Sequence, residues 1–143
     1  TEGFRWFEFP SNEDEFKFSQ QAISQTISEI LNDIKFNIKG IFIGGFSQGG
    51  MMTLHNNYNE KVDGLIILGS QLFYENKEFN LKKKTKIFMS HGTYDQVIPI
   101  MGSIQTLNFL RKKGFSVDYK EYPIGHEISL DQINELNNWI DKI

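Results

Sequence analysis

One apolar run that breaks into glycines constrains the fold of this 143-residue chain more than any other feature. The run, Lys39 to Gly44, is short and rich in isoleucine, which is the pattern of a strand buried on both faces of a parallel sheet. It is followed by the sequence GFSQGG, which sets Ser47 between glycines, and by a helical pattern that begins at Gln48. The stretch therefore predicts a buried strand, a tight turn and a helix in direct succession.

The remainder of the chain alternates between strand patterns and helix patterns. Apolar runs predict strands at Gly64–Gly69 and Lys86–Ser90, and the half-apolar segment SVDYKEY predicts a fourth strand at a sheet edge. Apolar residues at helical spacing predict helices from Ser19 to about Phe36, from Gln48 to about Tyr58, from Ile100 to Lys113 and from Ser129 onward. This order predicts one α/β domain over residues 1–143, with a mostly parallel sheet and helices on both faces.

The last predicted helix carries its own N-terminal pattern. Ser129 and Gln132 have the spacing of a capping box, in which each side chain bonds the backbone of the other residue. The apolar residues that follow at helical spacing are expected to face the core; they are Ile133, Leu136 and Ile140.

Charge and composition exclude several classes of function. A formal net charge of −3 gives no basis for binding nucleic acid, which requires clustered Lys and Arg. The sequence has no cysteine, so disulfides, thiolate metal sites and cysteine nucleophiles are excluded. No segment approaches the roughly 18 consecutive apolar residues of a membrane span, and the chain does not begin with an apolar leader segment. We therefore expect a cytoplasmic protein.

The glycine-rich turn has the pattern G-x-S-x-G, formed by Gly45, Ser47 and Gly49. Between a buried strand and a helix, this pattern predicts a nucleophile elbow, in which strained backbone lifts the serine hydroxyl clear of the sheet. The backbone N–H of Gln48 would then lie at a helix N-terminus, where it could stabilise an oxyanion. The same pattern also fits a plain turn in which Ser47 caps the helix.

A serine nucleophile needs a base, and the base needs a residue that orients it. Asp95 follows the third strand in HGTYDQVIP, and His126 follows the fourth strand in YPIGHEIS. Both therefore fall in loops at the carboxyl ends of strands, where reactive groups of parallel sheets gather. The order Ser, Asp, His along the chain is that of the α/β-hydrolases. We expect Ser47, Asp95 and His126 to meet.

The other two histidines are expected to have structural roles. His91 closes the third strand next to Gly92 and is predicted to be packed or hydrogen-bonded, and His55 follows the serine on a helix as a structural or exposed residue. A metal site formed by His91, Asp95 and His126 is an alternative, although the spacing of these residues matches no short metal-binding motif.

The segments GFSQGG, HGTYDQVIP and GHEIS, together with RWFEF at Arg5 to Phe9, resemble the phospholipase/carboxylesterase family of α/β-hydrolases, which includes acyl-protein thioesterases. The resemblance runs the length of the chain. It implies a serine hydrolase that cleaves carboxylic esters or thioesters of acyl groups, without a metal or an organic cofactor. By the same resemblance Ser47 is the nucleophile, His126 the general base and acid, and Asp95 its orienting partner.

Several apolar residues near the expected site are candidates to line a channel for the acyl group, because such pockets are mostly apolar. They are Trp6, Leu72, Phe73, Val97 and Ile98. Each of them could equally belong to the core. The expected substrate is a small acyl ester or thioester, or the acyl group of a lipid-modified protein.

The sequence departs from this family in one respect. Family members carry further strands before the segment that matches RWFEF, with a glycine-containing loop that supplies a second oxyanion donor. We expect these first strands to be missing here, so Lys39–Gly44 would lie at an open sheet edge, where an apolar strand invites pairing. A second copy of the chain or a missing chain segment would cover that edge. The missing loop leaves a second hypothesis open, a non-catalytic or impaired hydrolase-like binding domain.

Overall fold

The computed structural model describes residues 3–8, 12–56, 58, 61–73, 81–82 and 84–143. Its elements are α1 (Glu13–Asp33), β1 (Phe42–Phe46), α2 (Gln48–His55), β2 (Gly64–Leu68), β3 (Lys86–Gly92), α3 (Ile100–Lys112), β4 (Val117–Tyr122) and α4 (Leu130–Ile140). The strands form one parallel sheet in the order β1-β2-β3-β4. The predicted α/β class is confirmed, and β1 and β4 form the two edges of the described sheet, as expected.

Helices cover both faces of this sheet. On one face α2 and α3 pack over β2, β3 and β4 in a cluster that includes Leu54, Leu65, Ile67, Ile87, Met89, Leu107, Leu110 and Val117. On the other face Trp139 of α4 packs against Leu68 and Phe88, with ring centroids of Trp139 and Phe88 5.6 Å apart. Because both faces are covered, the central strands need apolar residues at every position, which explains their continuous apolar runs.

Helix α1 begins and ends earlier than its isoleucine spacing predicts. The Asn12 side chain accepts hydrogen bonds from the backbone N–H groups of Asp14 and Glu15, which caps the helix at Glu13. Extended backbone at Ile34 ends it. Although α1 has 21 residues, none of the helices in the described part of the chain combines the length and apolar character that a bilayer crossing requires.

A second core cluster lies between α1, α2 and the beginning of the chain. It contains Phe7, Phe16, Met51, Met52 and Ile98, with Phe73 packed against it. The ring of Phe7 contacts that of Phe16 edge-on, with centroids 5.2 Å apart. This cluster holds residues 3–8 against the helix that follows the glycine-rich turn.

The capping box of α4 is confirmed, but its buried face differs from the prediction. The Ser129 hydroxyl accepts from the Gln132 N–H at 3.2 Å, and the Gln132 side chain accepts from the Ser129 N–H at 2.7 Å. The prediction for Ile133 is wrong, because this residue is 37% exposed while Gln132 and Trp139 are buried. Gln132 reaches the core because its amide donates to the hydroxyl of Ser90 at 3.0 Å, a polar contact that an apolar pattern cannot reveal.

Candidate active site

Ser47 occupies the turn between β1 and α2 in a strained backbone conformation. Its φ is 55° and its ψ is −122°, and it is the only non-glycine residue with positive φ in the part of the chain that the structure describes. Such conformations cost on the order of 1–3 kcal/mol and persist only where the surroundings impose them. Strand and helix approach so closely that a Cβ at Gly45 would overlap the carbonyl group of Gly49. The turn has the geometry that a nucleophile elbow requires.

The carboxyl end of β2 holds both backbone groups of Ser47. The Ser47 N–H donates to the carbonyl of Leu68 at 3.0 Å. The buried hydroxyl of Ser70 donates to the Ser47 carbonyl at 2.7 Å. The side chain of Ser47 itself makes no capping hydrogen bond to α2. The alternative of a serine that merely caps the helix is therefore not supported.

The three side chains expected to meet lie in series, each within hydrogen-bonding distance of the next. Nε2 of His126 is 2.9 Å from Oγ of Ser47, and Nδ1 of His126 is 2.7 Å from Oδ2 of Asp95. The three residues follow β1, β3 and β4, so all lie at the carboxyl ends of parallel strands. A carboxylate beside Nδ1 favours the tautomer with its proton on Nδ1, which leaves Nε2 able to accept the serine proton.

The carboxylate of Asp95 is buried and fully engaged. Its Oδ1 accepts from the backbone N–H groups of Val97 and Ile98, each at 2.9 Å. Burial raises the pKa of Asp95, but the hydrogen bonds from His126, Ile98 and Val97 outweigh burial and hold the pKa below its ordinary value. Asp95 is therefore held as a carboxylate facing the imidazole.

The two other histidines have structural contacts, in agreement with the prediction. His91 is fully buried, with Nε2 2.8 Å from the carbonyl of Ile98 and 3.4 Å from Oδ2 of Asp95. The buried His55 accepts from the backbone N–H of Phe73 at 3.0 Å. No set of three or more His, Asp or Glu side chains arranged to hold a metal ion occurs within the described ranges.

Comparison with known proteins identifies the family. The sequence pattern of the phospholipase/carboxylesterase family matches residues 4–143. The chain belongs to this family.

Two relatives and two solved structures show how far the similarity extends. Acyl-protein thioesterase 1 of Neurospora crassa is 35% identical over 111 residues, which cover 70% of this chain and 44% of that protein. Carboxylesterase SOBER1 of Arabidopsis thaliana is 27% identical over 154 residues, covering 96% of this chain and 67% of that protein. A crystal structure of a SOBER1 variant has a TM-score of 0.84 at 27% identity, covering 96% of this chain and 73% of that chain. Esterase PE8, at 19% identity and a TM-score of 0.81 over 99% of this chain and 71% of that one, supports the fold alone.

The chain spans between 41% and 67% of the length of the first curated relatives that it matches. Upstream of β1, the described residues 3–8 and 12–41 contain α1 and no strand. Within those residues the second oxyanion donor, expected from a loop after an early strand, has no counterpart. The N–H of Gln48 lies at the N-terminus of α2, where the first N–H groups of a helix have no partner within the helix.

The five predicted channel residues of this family member divide into two groups. Three of them pack on core clusters: Leu72, Phe73 and Ile98. The other two are more open, with Trp6 43% exposed and Val97 66% exposed. The Trp6 backbone N–H donates to the side chain of Gln48 at 3.1 Å, which places Trp6 next to the elbow.

Sequence reasoning missed three contributors to the site. The hydroxyl of Ser70 donates a hydrogen bond to the carbonyl of Ser47. The ring of Phe46 packs beside the imidazole of His126, with ring centroids 4.6 Å apart. The side chain of Gln48 accepts a hydrogen bond from the backbone of Trp6. The position of Ser70 directly after the apolar run of β2 was a usable sign, because it falls at the same sheet edge as the other loops. The contact of Gln48 had no such sign, since its partner lies 42 residues away.

Proposed function

We propose that this chain is a serine hydrolase that cleaves carboxylic ester or thioester bonds of acyl substrates. The observation that carries the proposal is the chain of distances from Ser47 through His126 to Asp95, 2.9 Å and 2.7 Å long, at the strained turn after β1. Membership of the phospholipase/carboxylesterase family supports the same reaction class. A metal or organic cofactor has no part in the proposed reaction.

In the proposed first half-reaction, Oγ of Ser47 attacks the carbonyl carbon of the substrate while Nε2 of His126 takes the hydroxyl proton. The oxyanion that forms would accept a hydrogen bond from the N–H of Gln48, at the positive end of the α2 dipole. The carbonyl then reforms, the bond to the leaving oxygen or sulfur breaks, and His126 returns its proton to that atom. The products are an alcohol or thiol and an acyl ester of Ser47.

In the proposed second half-reaction, water replaces the leaving group. Nε2 of His126 takes a proton from the water as its oxygen attacks the acyl carbon, and the proton then returns to Oγ of Ser47 as the carboxylic acid departs. Asp95 keeps the imidazole in the required tautomer and stabilises the imidazolium that forms twice in each cycle.

We place the substrates among acyl esters and thioesters, including the acyl groups of lipid-modified proteins. The name of the Neurospora crassa relative, an acyl-protein thioesterase, supports the thioester class, and the name of the Arabidopsis thaliana relative supports carboxylic esters. We also place the protein in the cytoplasm, because a sequence without cysteine uses no disulfides.

A second candidate is a non-catalytic or impaired hydrolase-like binding domain. It is favoured by the oxyanion site, because the second donor is expected from a loop after an early strand, and the described residues upstream of β1 contain no strand. Loss of one such donor typically lowers turnover by about 10²- to 10³-fold. Against it stands the complete set of Ser47, His126 and Asp95 within hydrogen-bonding distance, since a binding domain does not need all three.

A fluorophosphonate probe, which modifies activated serines, tests the two candidates. The parent protein is expected to be labelled at Ser47, and Ser47→Ala is expected to abolish labelling. Ser116→Ala is the matched control, because the tripeptide Gly114-Phe115-Ser116 before β4 repeats the elbow's Gly45-Phe46-Ser47 and its serine is exposed. Labelling that persists in Ser47→Ala, or a folded parent protein that takes up no probe, would reject the hydrolase and favour the binding domain.

We also propose that the open edge of β1 is covered by a further strand, from a second copy of this chain or from a further chain segment. The support is the sheet order, which leaves β1 paired on one side within the described residues. Unpaired strand edges readily accept another strand.

A further inference from the structure

The side chain of Gln48 ties the beginning of the described chain to the elbow. Its Oε1 accepts from the N–H of Trp6 at 3.1 Å, and its Nε2 donates to the carbonyl of Phe7 at 3.0 Å. We call residues 3–8 the strap. Both contacts are to the backbone of the strap, so they fix its path whatever side chains it carries.

Helix α1 holds the strap from the other side. The hydroxyl of Ser19 donates to the carbonyl of Trp6 at 2.5 Å, and the carboxylate of Glu15 accepts from the N–H of Glu8 at 2.9 Å. The ring of Phe7 is buried between Phe16 and Phe73. The strap is therefore bonded on two sides and anchored by one buried ring.

These contacts leave Trp6 at the first turn of α2. A Cβ added to Gly49 would lie 3.8 Å from Nε1 of the Trp6 indole, which is van der Waals distance. The indole thus stands over Gly49, two positions after Ser47, and it is 43% exposed. A partly exposed aromatic surface beside a nucleophile is suited to contact an apolar part of a substrate.

We propose that Gln48 is a positioning residue, whose side-chain amide latches the strap to the elbow so that Trp6 forms one wall of the acyl-binding site. The inference rests on the proposed hydrolase function and names the residue that shapes its substrate selection. The backbone N–H of Gln48 faces the reaction, while its side chain holds the wall. Opening of the strap would remove Trp6 from the site and reduce the preference for long acyl chains.

The latch can be tested independently of catalytic activity, by measuring the rate of trypsin cleavage after Arg5 with mass spectrometry. Cleavage of a closed segment tracks the fraction of molecules in which it is open. Gln48→Met keeps the length of the side chain and removes both hydrogen bonds to the strap. Because one hydrogen bond changes such an equilibrium about fivefold, we expect cleavage after Arg5 to become about tenfold or more faster, relative to cleavage after Lys142.

Two further variants keep this test decisive. Gln105→Met makes the same exchange on the exposed side of α3 and is expected to leave cleavage after Arg5 unchanged. Ser19→Ala loosens the strap from α1 without touching the elbow and is expected to accelerate cleavage about fivefold. If Gln48→Met also exposes cleavage sites inside β3 and α3, Gln48→Ala replaces it as the variant to be scored. Unchanged cleavage after Arg5 in the folded Gln48 variant would overturn the latch.

The substrate wall is tested with a short-chain and a long-chain alkyl fluorophosphonate. Gln48→Met is expected to lower the ratio of long-chain to short-chain labelling rate constants about tenfold, and Trp6→Ala is expected to lower it similarly. A ratio that stays unchanged while cleavage after Arg5 accelerates would overturn the wall assignment. If neither probe labels the parent protein, the hydrolase proposal and the wall both fail, whereas the cleavage experiment still decides whether Gln48 holds the strap.

Discussion

Asp95 accepts hydrogen bonds at both carboxylate oxygens, and these bonds connect its own loop to the loop of His126. Oδ1 bonds the backbone of Val97 and Ile98, while Oδ2 faces the imidazole of His126. His91 contacts the same loop through the carbonyl of Ile98. One buried carboxylate thus organises two loops as well as the orientation of the base.

This arrangement predicts how stability depends on pH. The folded-state pKa of Asp95 lies below the value in the unfolded chain, which is about 3.9. The stabilisation from the ionised carboxylate is therefore complete above that pH and is lost as pH falls through the folded-state pKa. The difference in free energy of unfolding between the parent and Asp95→Asn is expected to shrink as the pH falls below about 4.

Urea denaturation at a series of pH values measures this difference. A difference that stays constant or grows below about pH 4, down to the acid unfolding transition, would contradict the assigned role of Asp95.

At the scale of elements, the elbow depends on the contact between β1 and α2. Gly45 ends up beneath the first turn of α2, where no Cβ fits. Gly3, in contrast, has no atom within 4 Å of where its Cβ would stand, apart from its own atoms and those of the adjacent residues. The two glycines therefore provide a matched pair for measuring the cost of crowding at the elbow.

Gly45→Ala is expected to destabilise the fold by about 3 kcal/mol, because strand and helix must separate to admit the methyl group. Gly3→Ala is expected to change stability by less than about 0.5 kcal/mol. Thermal or urea unfolding of both variants checks the values. Equal stability of the two variants would show that β1 and α2 do not approach as closely as described.

The accuracy of the sequence predictions followed the kind of contact involved. The strands were predicted to within a few residues, because strands buried on both faces, such as β2 and β3, have continuous apolar sequences. The start of α1 was missed because it depends on the cap at Asn12, which apolar spacing does not reveal, although Phe16, seven residues before Ile23, continues the isoleucine stripe. The inward face of α4 was misassigned only in part: Leu136 and Ile140 pack on the core as predicted, but Ile133 is exposed and the buried Gln132 is polar.

The candidate site shows the same division. The elbow and the two loops at the sheet edge follow from chain order and motif, so Ser47, Asp95 and His126 could be selected in advance. The contacts of Ser70 and of the Gln48 side chain depend on which backbone groups come together after folding. The local sequence does not indicate such long-range contacts.

At the scale of the whole molecule, the described residues place no strand on the side of β1 that faces away from β2. Alternate residues of a parallel strand direct their N–H and C=O groups to opposite sides. The Ile41 carbonyl and the Ser47 N–H both form hydrogen bonds with β2 or the residue that precedes it, so the odd-numbered residues of β1 face β2. The even-numbered residues between them therefore direct their N–H and C=O groups away from β2. In the chain that precedes β1, the end of α1 and the residues after it expose apolar side chains, namely Ile30, Ile34, Phe36 and Ile38.

Amide hydrogen exchange on β1 tests whether another strand covers this edge. In dilute protein the N–H of Gly44 is expected to exchange rapidly and that of Gly45 slowly. If a second copy pairs with the edge, protection of Gly44 should rise with protein concentration, together with the mass measured by light scattering. Rapid exchange of Gly44 at every concentration, with a constant monomer mass, would contradict pairing between copies.

The attachment of Ser47 to β2 has a consequence for how freely the surrounding chain can vary. Its N–H is held by Leu68, and its carbonyl is held by Ser70 in addition to the first N–H groups of α2, so the sheet as well as the helix fixes the location of the hydroxyl. We therefore expect motions at the far end of α2, around His55, to cause little displacement of the Ser47 hydroxyl. The sheet therefore fixes the nucleophile, whereas the side chains at the far end of α2, among them Leu54 and His55, are buried and remain constrained by the core.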